Sequence, residues 1–150
     1  MDTELSIALK IALANTFVMY FRAHSYHWNV EGKNFPQYHD FFGELYEELH
    51  ASIDVFAEQV RALDVYAPIS LSEIYTQKTL MEDSVKPMTC TAMLMTLLNS
   101  NTEVVSSLNK CFEIANKQNN QGLADFIASR LDVHSKHAWM LKSCAKSTGE

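Results

Sequence analysis

From Phe42 to Leu63 a single apolar series runs unbroken: Phe42, Leu45, Leu49, Ile53, Phe56, Val60 and Leu63, in steps of three and four. That is the helical period; a strand would throw alternate side chains to opposite faces. At 1.5 Å per residue the seam is roughly 30 Å long. A seam of this length needs partners of equal length, and the rest of the chain can supply them. Only four Gly and three Pro occur in 150 residues. Little interrupts the helices, and a strand-rich fold with many tight turns is disfavoured.

A first helix is expected over 4–31. Leu5, Leu9, Leu13 and Phe17 recur every four residues, while Ile7, Ile11 and Val18 mark a second stripe. Two stripes imply burial on more than one side, against its own bundle and against another subunit. Gly32 ends the helix, GKNFP turns the chain, and Pro36 fits the first turn of the next helix, 37–63. Residues 65–88 form a long connection bracketed by Pro68 and Pro87. Within it Ser70 to Glu73 reads as a capping box that starts a short helix. Helices over 89–117 and 121–145 follow, separated by KQNNQG. Their apolar faces are Leu94, Leu97, Leu98, Val105, Leu108, Phe112 and Ala115, then Leu123, Phe126, Ile127, Leu131, His134, Ala138 and Leu141. The expected class is all-α: a four-helix bundle of one domain over 1–150, with a short helix in the long connection between helices 2 and 3.

The formal net charge is −6 and no Lys/Arg block occurs. Phosphate binding needs clustered cations, so nucleic acid is disfavoured as the main partner. Cys90, Cys111 and Cys144 lack metal-type spacing and read as reduced thiols of a cytoplasmic protein. The first residues carry no basic region or small-residue cleavage site, and no unbroken apolar run reaches membrane-spanning length. Neither a secretory leader nor a membrane partner is expected.

The chemistry concentrates in HSYHWNVEGKNFPQYHDFFGELYEELHASIDVFAE, residues 24–58. If the first two helices fold back near 33 and 34, His27 and His39 stand at one level, each roughly 9 Å from the tip. Asp54 and Glu58, four apart, point from one face of the second helix. Yet Asp54 lies roughly 22 Å along the axis from His39, too far for one ion within one chain. Two subunits packed antiparallel would bring the halves together. His27 and His39 would come from one chain, Asp54 and Glu58 from the other, twice per two-fold axis. Imidazole with carboxylate suits Fe(II), with Zn(II) or Mn(II) as substitutes. Trp28, beside His27, is a candidate electron donor. Each residue also has an ordinary alternative: a histidine that only hydrogen-bonds, a solvated Asp–Glu face, a tryptophan that only packs.

The same stretch resembles the Dps family of mini-ferritins. The matching pattern is H-W-N-V-x-G-x-x-F, a His twelve after the first, then D-x-x-x-A-E-x-x-x-x-L. It is present as His27, Trp28, Asn29, Val30, Gly32, Phe35, His39, Asp54, Ala57, Glu58 and Leu63. HSKHAWML near the C-terminus also looks like the family's last helix. The resemblance implies a ferritin-like bundle and a hollow dodecamer. It implies ferroxidase sites between subunits that oxidise Fe(II), preferably with hydrogen peroxide and otherwise with oxygen. Ferric iron would be stored inside, limiting oxidative damage. Carried over by motif, His27, His39, Asp54 and Glu58 would be the iron ligands, with Trp28 beside them.

Two departures stand out. Many relatives carry an acid four residues after the second histidine, where this chain has Gly43, and a second metal position would lose a carboxylate. Asp40 and Glu44 point elsewhere on the helix. The segment before ADFI, often acidic where it lines an iron-entry pore, is NNQG here, leaving Asp125 and Asp132. A metal-binding cage without efficient turnover is therefore one alternative, and a DNA-compacting protein is another. DNA binding is expected to be weak or absent, since Asp2 and Glu4 are the early charges and Lys142 and Lys146 the late cations. His50, four before Asp54, reads as packing or as an auxiliary ligand. His134 and His137 have a zinc-compatible spacing but no evident carboxylate partner, and His24 reads as bland.

Overall fold

The computed structural model describes residues 1–86 and 88–146, so the expected bracket at Pro87 lies outside the described residues. Five helices follow in order: α1 (Glu4–Asn29), α2 (Phe35–Ala62), α3 (Leu71–Gln77), α4 (Cys90–Lys117) and α5 (Gln121–Ala145). No strand occurs among the described residues. The short turns after α1 and α4 reverse the chain and make two antiparallel hairpins. α1 packs on α2 and α4, α4 on α5, and α3 lies against α1. α2 reaches α5 where Phe56 meets Phe126 edge-on, ring centroids 5.0 Å apart.

Local chemistry sets the helix ends. The Thr3 hydroxyl accepts from the Ser6 amide and the Ser6 hydroxyl accepts from the Thr3 amide, a reciprocal cap on α1. Ser70 caps α3 by accepting from the Glu73 amide, and Glu73 reaches back to the Ile69 amide at 2.7 Å. Thr89 and Asn120 cap α4 and α5 in the same way. α1 stops at Asn29 and α2 starts at Phe35, each two residues from the sequence expectation of 31 and 37. Gly32, at φ +119°, makes the turn between them rather than ending the helix itself.

Of the α2 seam, Phe42, Leu45, Leu49, Phe56 and Val60 are buried, and Ile53 and Leu63 are half-buried. They meet Leu9, Met19, Leu97, Leu108, Ile127 and Leu141 in one core. Both stripes of α1 are only partly buried: Leu5, Leu9, Leu13 and Val18 face inward and Ile11 and Phe17 are half-buried, whereas Ile7 is left exposed, as is Phe21 one turn beyond Phe17. α1 is long and apolar enough in composition to cross a membrane, but 67 % of its most apolar stretch is buried inside the bundle. It is a core helix.

Buried polar groups on α1 fasten the long connection. The Asn15 side chain is fully buried; its Oδ1 accepts from the amides of Thr79 at 2.8 Å and Leu80 at 3.2 Å, and its Nδ2 donates to the Thr79 hydroxyl. Arg22 donates to the Met81 carbonyl and the Ser100 hydroxyl, and the Tyr26 hydroxyl donates to Asp83 at 2.7 Å. A buried amide without an acceptor costs about 1–3 kcal/mol. Asn15→Ala orphans both amides, and is expected to lower unfolding stability by about 2–4 kcal/mol in urea titrations. A loss below about 0.5 kcal/mol would show that the connection holds without this anchor.

Candidate metal centre

His27 sits on the last turn of α1 and His39 on the second turn of α2, and the hairpin brings them face to face. Their rings stack with centroids 3.7 Å apart and planes 18° from parallel. Phe35 stacks on the outer side of His39, at 5.0 Å. The hydrogen bonds are reciprocal: Nδ1–H of His27 donates to the His39 carbonyl at 2.7 Å, and Nδ1–H of His39 donates to the His27 carbonyl at 2.7 Å. A carbonyl oxygen only accepts, so both Nδ1 atoms carry hydrogen. In the neutral rings both lone pairs are then on Nε2. This arrangement suits a metal ligand, because a backbone acceptor fixes the tautomer and the ring orientation.

Gly43 has a positive role here besides the carboxylate it lacks. A Cβ at this position would lie 3.1 Å from Nδ1 and 3.2 Å from Cε1 of His27. The glycine lets the His27 ring settle against α2 and reach the His39 carbonyl. That close approach offsets the roughly 1 kcal/mol that glycine costs inside a helix.

Asp54 and Glu58 are both exposed further along α2. A hydrogen bond to Asp54, followed by the negative charge of Asp54, raises the pKa of Glu58 above its ordinary value. The two carboxylates therefore lie close enough to repel, and a cation between them would relieve that repulsion. Among the described residues no group of three or more His, Cys, Asp or Glu side chains is gathered closely enough to hold a metal ion. One subunit thus carries a pair of nitrogens and a separate pair of oxygens.

Trp28 does not lie on His27. Its indole is half-exposed and packs on His24, ring centroids 4.1 Å apart, with Phe21 edge-on at 6.2 Å. His24, read as bland from the sequence, is the hub of an aromatic cluster. It stacks on Tyr46 at 3.8 Å with planes 5° apart, and its Nδ1 is hydrogen-bonded to the Tyr20 hydroxyl at 3.0 Å. Burial, and then the neighbouring His27 and His50, lower its pKa. Tyr46 is 5.2 Å from His27, and Tyr20 is 4.9 Å from His50. Tyr20 and Tyr46 were missed in the sequence. Each stands two helical turns from a candidate ligand, Tyr20 before His27 and Tyr46 after His39, a spacing that returns to the same face.

The expectation that His134 and His137 lack a carboxylate is corrected: Glu48 reaches His137 from α2, and Arg130 links it to His134. Arg130 grips Glu48 with two bonds, 2.5 Å and 3.0 Å, and His137 Nε2 contacts Glu48 Oε1 at 2.7 Å. Both nitrogens of His134 are occupied, Nδ1 by Asn101 Oδ1 at 2.6 Å and Nε2 by Arg130 at 3.2 Å. Burial, and then the charge of Arg130, push His134 down to about 3. A cationic guanidinium fills the place a metal would take, so this cluster ties α2 to α5 and α4.

The family model for the ferritin-like domain matches residues 7–148. A low temperature-induced, uncharacterised protein of Nostoc sp. is 32% identical over 133 residues, covering 87% of this chain and 74% of its own. The DNA protection during starvation protein of Brevibacillus brevis is 28% identical over 138 residues, covering 92% of each chain. The Dps protein of Vibrio cholerae O1, whose crystal structure is described as that of a member of a broad superfamily of ferritin-like diiron-carboxylate proteins, is 26% identical. Its TM-score is 0.90, over 95% of this chain and 89% of that one. By its helix order, its α1/α2 motif and these likenesses, the chain belongs to the ferritin-like family and, within it, to the Dps mini-ferritins.

Proposed function

We propose that this chain is an iron-oxidising, iron-storing cage protein whose catalytic centres form between subunits. The reciprocal Nδ1–carbonyl bonds of His27 and His39 carry this reading, because they leave two Nε2 lone pairs that no carboxylate among the described residues joins in a metal-holding group. Two chains packed antiparallel along α1 and α2 set Asp54 and Glu58 of one beside His27 and His39 of the other. Exposed Phe21, Trp28 and Val55 on these helices, with Leu71 and Tyr75 on α3, supply apolar area for such packing. The assembly is a dodecamer in the cytoplasm, by analogy with the family. Fe(II) is the substrate, and the description of the Vibrio cholerae relative as a diiron-carboxylate protein agrees with it.

Hydrogen peroxide is the preferred oxidant and oxygen the second. Peroxide takes two electrons, one from each of two Fe(II) ions; its O–O bond breaks to water, and the Fe(III) hydrolyses with release of protons and collects as mineral. The protein's own residues bind and orient. The imidazoles hold Fe(II) without adding charge, and the carboxylates favour Fe(III) once it forms. Trp28, one step behind His24, is available to quench a stray one-electron oxidant.

Fe(II) oxidation followed by absorbance tests this. Wild type with peroxide is expected to outpace buffer, and Asp54→Ala/Glu58→Ala to lower the rate by at least about 100-fold. Gly43 favours a second reading, in which the cage binds metal without turnover. Equal, slow rates in both proteins would establish that reading instead.

A further inference from the structure

The face that carries the candidate ligands holds one more imidazole. His50 lies four residues before Asp54 on the same stripe of α2 and is exposed, with Tyr20 beside it at 4.9 Å. His24 is the competing histidine, but its ring is stacked between Tyr46 and Trp28 and its Nδ1 is engaged by Tyr20. His50 has no such enclosure.

The register that joins the two half-sites also fixes where His50 goes. The midpoint of Asp54 and Glu58 is position 56, and it must face position 39 of the other chain. In an antiparallel pair, facing positions then sum to about 95, so position 50 faces position 45, between Gly43 and Tyr46. The axial offset from Gly43 is two residues, or about 3 Å. Gly43 offers no ligand of its own, and a side chain there would press on His27 at 3.1 Å.

We propose that His50 of one subunit supplies the ligand that Gly43 omits in the other, so that each composite centre takes a second divalent cation through a third imidazole. This rests on the two-fold centre proposed above. A nitrogen donor in place of a carboxylate selects Zn(II), Fe(II) or Co(II) over Mg(II) and Ca(II). It also lowers the negative charge of the centre, which favours Fe(II) over Fe(III) at the second position and eases release of the oxidised ion into the cavity.

The test is calorimetric titration of the assembled protein with Zn(II), with gel filtration to verify equal assembly. Wild type is expected to bind about two Zn(II) per subunit. His50→Ala is expected to keep the tighter ion unchanged and to weaken the second by roughly 10–100-fold. His50→Asp, which restores a donor atom but not the ring, is expected to retain both ions. One ion in wild type, two equal ions in His50→Ala, or loss of the second ion in His50→Asp would each overturn the proposal and leave the composite centre standing. Asp54→Ala reports on that centre separately: if the tighter ion survives it unchanged, the two-fold reading itself fails.

Discussion

Two variants that are each inactive are expected to regain Fe(II) oxidation when they are assembled together. His27→Ala/His39→Ala lacks both nitrogens, and Asp54→Ala/Glu58→Ala lacks both oxygens. In a mixed two-fold pair one centre receives the intact imidazoles of the second variant and the intact carboxylates of the first; the other centre receives neither. Random pairing makes half the pairs mixed, so roughly a quarter of the centres are whole. Dissociating, mixing and reassembling the variants should therefore bring the peroxide-dependent rate to roughly a quarter of wild type, from a starting level at least about 100-fold down. Recovery of this size cannot come from a site inside one chain, since each variant would spoil its own. A mixed assembly as slow as its parents would remove the composite centre, whatever metal the protein binds.

The candidate half-sites were legible in the sequence to different degrees. The levelness of His27 and His39 followed from helix rise and the position of one turn, and their stacked rings agree with it. The α2 seam and the Ser70 end of α3 were readable because capping and helical period are local properties, whereas the Thr3–Ser6 cap of α1 went unread. The reciprocal Nδ1–carbonyl bonds were not, because they depend on ring rotamers and on the close approach at Gly43. The sequence marked that glycine only for the carboxylate it lacks. Glu48 escaped for another reason: its partners Arg130 and His137 sit on α5, more than eighty residues further along, and no local pattern announces a pairing across so much chain. Tyr46 and Tyr20 carried a readable spacing, but only the stacking on His24 shows what they pack around.

Glu48→Ala is expected to cost about 3–5 kcal/mol, because it removes one side of a charge pair and leaves the other buried. Arg130, whose side chain is 6% exposed, would lose both its carboxylate bonds, and His137 would lose its partner. Glu48→Leu/Arg130→Met removes both charges, and is expected to recover more than half of that loss in urea titrations; no recovery would mean that packing rather than charge sets the cost. The same cluster makes the bundle acid-sensitive. His134 is held neutral, its value pushed to about 3 from an ordinary 6.5, so the unfolded chain takes up a proton that the folded chain refuses. Its contribution to stability is complete above about pH 6.5 and falls as pH drops toward 3, by at most about 1.4 kcal/mol per pH unit. Burial alone would raise Glu48, but the bonds from His137 and Arg130 outweigh it and hold the carboxyl at about 2, below an ordinary 4.5. Its contribution is therefore kept above about pH 4.5 and lost as pH falls toward 2. The windows separate Glu48 from the histidines: between pH 6.5 and 4.5 the slope comes mainly from His134, with a smaller share from His24, and His134→Gln should reduce it there while leaving the loss below pH 4.5. An unchanged slope in that variant would move the acid sensitivity to His24, whose pKa burial also lowers.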